Sequence, residues 1–184
     1  RHVLDASTYA FKAIVVADAL ERHGAVLWID ANAELRRPLD EIRVRLGSEG
    51  HFLVEHPYRF PTPQFHHPRA VADLGCAAAP ATRAHCATTF IGATQASWFA
   101  REVLPELVRC SAEARCINPE GSSRANHRQE QTALNAILCR LGAPPDGVCS
   151  ADPRFRMTAD FENDRDPVQP TADETDWNDV VLYT

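Results

Sequence analysis

Lysine is all but missing from this 184-residue chain. Lys12 is the only one, and every other basic side chain is arginine. The arginines are scattered and the net charge is -6. Phosphate backbones demand a contiguous basic stripe, so nucleic acid is excluded as a partner class. Long apolar runs are missing too. None approaches the roughly 18 residues of a membrane span, so membrane attachment would need an anchor absent from this chain. No C-x-x-C occurs, and the cysteine spacings are unlike those of zinc ligands. No signal-peptide pattern opens the sequence, which starts at Arg1, so a processed or cut chain is expected. There is no internal repeat.

What is present suits a globular protein: 45% hydrophobic and 24% charged residues. A single domain over 1–184 is expected, with its core in 8–157 and an acidic, loop-rich segment in 158–184. Such a chain buries roughly 70% of its unfolded surface. The acidic residues between 160 and 179 read as a solvated surface.

The six cysteines fall into neighbouring pairs along the chain: Cys76 with Cys86, Cys110 with Cys116, and Cys139 with Cys149. An even count suits an oxidising compartment, although sequence does not fix connectivity. Cys110 and Cys116 bracket a short polar turn and form the favoured pair. Buried free thiols are the alternative.

Helical and strand patterns alternate. Ser7 or Thr8 can cap a helix carrying Tyr9, Ala13, Ile14, Ala17 and Leu20, which Gly24 ends. The apolar run over 25–29 fits a strand buried on both faces, and Asp30 follows at once. Pro38 can open a second helix that Gly47 closes. Residues 52–54 and 88–92 read as strands, and 180–183 as a last one. Trp98, Phe99, Val103, Leu104, Leu107 and Val108 mark an amphipathic helix. Asn126 and Gln129 resemble a capping box for another, which stops at Gly142. Between them, 57–68 (PYRFPTPQFHHP) is a long Pro-, His- and aromatic-rich loop. Alternation of this kind predicts an α/β layer structure with a mostly parallel sheet flanked by helices.

Three constellations could carry chemistry. In a parallel sheet, ligands bind beyond the carboxyl ends of strands, where Asp30 sits with Asn32 two residues on. Together they could face magnesium or manganese, which take carboxylates and substrate phosphates. On spacing alone, Asp30 as a turn cap is the simpler account. At the start of the last helix, Arg124 and Arg128 could contact phosphate oxygens, and Glu130 could act as a base. An ordinary first helical turn explains those residues equally well. His66 and His67 invite a metal reading, but adjacent side chains rarely point at one ion.

The order of segments adds a resemblance. Residues 9–34, YAFKAIVVADALERHGAVLWIDANAE, resemble the approach to the Asp-x-Asp motif of GT-A-fold glycosyltransferases, with a glycogenin-like layout. Residues 86–93, CATTFIGA, look like a later strand of that fold, and 129–135, QEQTALN, like its Asp-Gln-x-x-Leu-Asn helix start. The run CINPEGSSRANHRQEQTAL is similar to a loop in an uncharacterised eukaryotic family of predicted glycosyltransferases. The similarity spans residues 9–141.

The resemblance implies a Rossmann-like GT-A domain whose N-terminal strands would lie before Arg1. It implies transfer of a sugar from a nucleotide-sugar donor to a glycan or glycoprotein hydroxyl, in the secretory pathway and its Golgi lumen. Asp30 matches the first Asp of Asp-x-Asp, and Asn32 replaces the second. A manganese or magnesium ion would bind through Asp30 and Asn32. Lys12, Arg128 and Gln131 would handle the donor, and Glu130 would lie at the reacting sugar carbon. The alternatives are a non-catalytic GT-A-like domain that binds carbohydrate or nucleotide, and a metal-dependent hydrolase using Asp30 with His66 or His67.

Overall fold

Val26, Leu27 and Trp28 are all buried, although consecutive side chains of a strand point to opposite faces. Such a strand needs cover on both sides, and the fold supplies it. The computed structural model describes residues 2–31, 33, 38–56, 66–76, 85–143 and 145–150. Asn32, most of the 57–68 loop, the acidic segment and the strand expected at 180–183 lie outside the described residues.

Three strands, β1 (Ala25–Ile29), β2 (His51–Glu55) and β3 (Cys86–Thr94), form one sheet in the order β1-β3-β2. The helices are α1 (Phe11–His23), α2 (Asp40–Glu49), α3 (Pro68–Asp73), α4 (Leu104–Ala112), α5 (Ala114–Ile117), α6 (Gln129–Arg140) and α7 (Pro145–Val148). A π-helical turn over Phe99–Val103 leads into α4.

The mostly parallel, Rossmann-like GT-A sheet expected from the sequence is not what forms. Both β1 and β2 pair antiparallel with β3. Among the described residues the one parallel contact is an isolated bridge between Val54 and Ser150. The error has a specific origin. The unit β1-α2-β2 does alternate, and its two strands do run the same way, since both oppose β3. Alternation constrains direction but not adjacency, and β3 occupies the place between them.

Side-chain alternation divides the core. Val26 and Trp28 of β1, Leu53 of β2 and Ile91 and Ala93 of β3 join Val16, Leu20, Phe99, Leu107, Leu134 and Ile137 of the helical side. Leu27, Phe52, Val54 and Phe90 turn the other way, onto Leu39 and Ile42. Gly92 lets α2 sit close: a Cβ there would lie 2.9 Å from Leu46 Cδ2 and 2.9 Å from Phe52 Cβ. Gly24 and Gly50 cap α1 and α2 in the left-handed conformation. The second helix therefore stops at Gly50 rather than at Gly47, which lies inside it.

β3 is not a regular strand. Its register with β2 jumps from Leu53–Ile91 to Val54–Ala87, leaving residues 88–90 without a β2 partner. Cys86 and Ile91, five positions apart, consequently face the same core. Bulges of this kind re-aim side chains near functional sites.

All six cysteines are bridged. Cys110–Cys116 forms as expected, but the other two bridges are crossed: Cys76 with Cys139 and Cys86 with Cys149. Each crossed bridge joins residues 63 positions apart, tying the stretch 76–86 to 139–149. Nearness along the chain decides the Cys110–Cys116 bridge but not the other two. Three disulfides are compatible with a secreted or extracellular protein. Among the described residues, no helix is long and apolar enough to cross a membrane.

Candidate functional site

The chain's single lysine is buried. Lys12, in the first turn of α1, is 1% exposed. An ammonium in such a place requires paired charge and full hydrogen bonding. Its Nζ lies 2.8 Å from Asp30 Oδ1 and 2.8 Å from Glu130 Oε1. It also donates to Asp30 Oδ2 at 3.1 Å and to the Thr88 carbonyl at 3.2 Å. Three donors thus meet three groups from three distant segments. The rings of Tyr9 and Trp28 flank the ammonium at 5.5 and 5.9 Å.

Asp30 is placed by backbone bonding and held by side chains. Its N–H donates to the Thr89 carbonyl at 3.0 Å, one step beyond the β1 ladder. The turn that follows is closed by the Ala33 N–H on the Asp30 carbonyl at 2.8 Å. The Trp28 indole N–H donates to Asp30 Oδ1 at 2.7 Å. With its side chain 23% exposed, Asp30 is the only member of the ion triad that reaches solvent appreciably.

Glu130, the second residue of α6, lies behind Lys12 with a side chain 7% exposed. The Thr88 hydroxyl donates to the same Oε1 at 2.9 Å. Thr88 reaches both Lys12 and Glu130 from the irregular stretch of β3. Burial pushes the Glu130 carboxyl above its ordinary range, against the pull of Lys12 and Thr88. For Lys12, burial works against the charged form, but the two carboxylates prevail and raise its pKa. One ammonium between two carboxylates leaves the triad one negative charge in excess.

Backbone strain brackets this triad. Among the described residues, Tyr9 (φ 54°) and Gln129 (φ 38°) are the only non-glycine residues with positive φ. Tyr9 precedes Lys12 by three residues, and Gln129 directly precedes Glu130. Such conformations cost about 1–3 kcal/mol each and concentrate at functional sites. Near the rim, Arg124 donates to the Tyr9 hydroxyl at 3.4 Å.

The other expected site residues are placed differently. Arg128 precedes α6; its backbone N–H donates to Thr132 Oγ1 at 2.8 Å, and its charge acts on His85. No side-chain cap bond opens α6, and Asn126 instead accepts from Ser123 N. Gln131 contributes backbone, its carbonyl accepting from Asn135 Nδ2 at 2.8 Å. His66 and His67 do not join Asp30; they belong to a separate histidine cluster. Asn135 was missed as a positioning residue. It is buried, and its amide bonds both the N–H and the carbonyl of Cys86 at 2.9 Å, fixing α6 to β3. The Leu-Asn pair closing QEQTALN was the available signal.

Among the described residues, the carboxylates of this site are turned to Lys12, and Asn32 lies outside them. Both Asp30 oxygens face the Lys12 ammonium, and Glu130 is enclosed behind it. Among the described residues, no group of three or more His, Cys, Asp or Glu could hold a metal ion.

Comparison with known proteins leaves the site to speak for itself: no protein-family model, no curated protein and no solved structure matches this chain.

Proposed function

We propose that this chain transfers a glycosyl group from a nucleotide-sugar donor to a hydroxyl of a glycan or glycoprotein. The observation that supports it is the convergence of Lys12, Asp30 and Glu130 on one network, at the open end of β1. On this reading Asp30, the exposed carboxylate, is the catalytic residue. It takes the acceptor hydroxyl's proton as the new C–O bond forms and the bond to the diphosphate oxygen breaks. Glu130 is a positioning residue, since it is enclosed. It fixes Lys12, and Lys12 holds Asp30 in one orientation. Tyr9 offers aromatic surface to a sugar ring, and Arg124 offers charge to the leaving diphosphate. No step passes through a metal. The three disulfides support a secretory compartment, and the Golgi lumen is the one this reading assigns.

One observation favours a second reading. The triad satisfies its own hydrogen bonds, with all three Lys12 donors used inside the protein. A domain that binds carbohydrate or nucleotide without turnover needs no more than that.

The test is release of nucleoside diphosphate from a panel of nucleotide sugars, with mixed glycan acceptors and with EDTA or manganese. Asp30→Asn should cut release by about 100-fold or more while the fold persists by circular dichroism. Binding in calorimetry without release by the native chain selects the second reading. Neither binding nor release would remove both.

A further inference from the structure

Five histidines gather away from the Lys12 triad, and three of them, His66, His85 and His127, are buried with bare ring nitrogens. His66 and His85 meet edge to face with centroids 5.4 Å apart, and His67 meets His127 at 6.1 Å. His56, at the end of β2, acts on His85. His66, His85 and His127 are 6%, 1% and 0% exposed. Neither ring nitrogen of His66 or His85 meets hydrogen-bond geometry with a partner, although the Gln131 backbone lies near the His85 ring. His127 bonds the Ile117 carbonyl through Nε2 at 2.9 Å, and its Nδ1 is bare.

The placement of these rings matters. The adjacent pair His66-His67 leads into α3 and splays, one ring onto His85 before β3 and the other onto His127 before α6. At the far ends of α3 and α6, Cys76 and Cys139 are bridged. The two helices are thus stapled covalently at their C-terminal ends and by imidazoles at their N-terminal ends.

Among the described residues, no carboxylate is among the charges that act on His66, His85 and His127. Among the described residues, the charged groups on the surrounding elements are Glu55 of β2 and His56 just after it, Arg69 and Asp73 of α3, Arg115 of α5, Glu120 of the loop after it, and Arg128 and Glu130 at α6. Arg69 pairs with Glu120 and Arg115 with Glu113 at the surface, and Glu130 pairs with Lys12. The charges that act on the three buried rings are all cationic: His127 on His66; His66, His56 and Arg128 on His85; His67 on His127. Protonating one ring therefore hinders protonation of the next for as long as the cluster stays closed.

We propose that His56, His66, His67, His85 and His127 form a proton-operated latch that releases the N-terminal ends of α3 and α6 from each other below neutral pH. Burial lowers His66 to about 4 and His85 to about 3, from 6.5. Groups held below their unfolded values stabilise the closed state above 6.5, and that stability drains away as the pH falls toward the folded values. Since Glu130 follows His127 by three residues, opening would also loosen the triad. The latch does not depend on the reading of that triad as catalytic.

Hydrogen–deuterium exchange of the disulfide-intact chain between pH 7.5 and 5.0, corrected for intrinsic rates, tests it. Amides in 66–73 and 128–134 should open about tenfold more per pH unit for each proton taken up on opening. β1 and β3 should stay protected. His66→Gln, which removes one of the lowered rings, should reduce that slope by about one proton. Corrected rates flat across this range, or rising equally everywhere, would overturn the latch, as would an unchanged slope in the variant. Should the variant fail to fold, the native slope decides alone.

Discussion

At the residue scale, the triad invites a test that separates structure from chemistry. Removing one partner of a buried ion pair leaves the other charged and unpaired, at a cost of about 3–5 kcal/mol. Lys12→Met should lose that much in a urea titration, because Glu130 and the Thr88 carbonyl stay buried. Glu130→Gln in the same chain removes the stranded charge and keeps an acceptor for the Thr88 hydroxyl. The double variant should regain about 1–3 kcal/mol relative to the sum of the single losses. Strictly additive losses would mean that Lys12 and Glu130 are not coupled as the distances require. Asp30→Asn should cost less stability than Lys12→Met, since Glu130 still pairs Lys12 and the Asp30 side chain reaches solvent. Asp30 was legible from sequence because a carboxylate directly after an apolar run marks a strand end. Lys12 and Glu130 joined it only through a resemblance. Their burial was not legible, because it depends on contacts 18 and 118 residues apart.

At the element scale, strand positions were readable and pairing was not. The apolar runs over 25–29 and 52–54 announced β1 and β2. β3 carries three threonines and a glycine, and its pattern hides both its nine-residue length and its bulge. Gly92 shows what that strand must accommodate. It faces Phe52 of β2 and Leu27 of β1, with Leu46 of α2 against it. Gly92→Ala puts a methyl group at 2.9 Å from two side-chain carbons. Overpacking of this order costs about 1–3 kcal/mol, against the few tenths that alanine usually returns through chain entropy. The denaturation midpoint should therefore fall. A midpoint at or above that of the native chain would show that α2 can shift outward freely, and that its seat on the sheet is looser than the distances indicate. The histidine latch was invisible for a related reason: its rings come from four separate segments, and no local pattern links them.

At the scale of the whole molecule, the crossed disulfides decide how the fold can come apart. Pairing between chain neighbours would have closed two short loops and left 76–86 free of 139–149. The crossed pairs instead make two links between the same two stretches, on either side of α6 and the start of β3. In the chain-entropy account, a loop of this length is worth about 4 kcal/mol, and the short loop closed by Cys110–Cys116 about 2 kcal/mol. Domains hold only about 5–15 kcal/mol in total. Opening Cys110–Cys116, as in Cys110→Ala with Cys116→Ala, should therefore leave a cooperative thermal transition at a lower midpoint. Reducing all three bridges removes about 10 kcal/mol, which meets or exceeds what a domain of ordinary stability possesses. The reduced chain should show no cooperative melt by circular dichroism at 25 °C and neutral pH. A sharp transition persisting within a few degrees of the oxidised one would mean that the three-strand sheet and its helices hold without the staples.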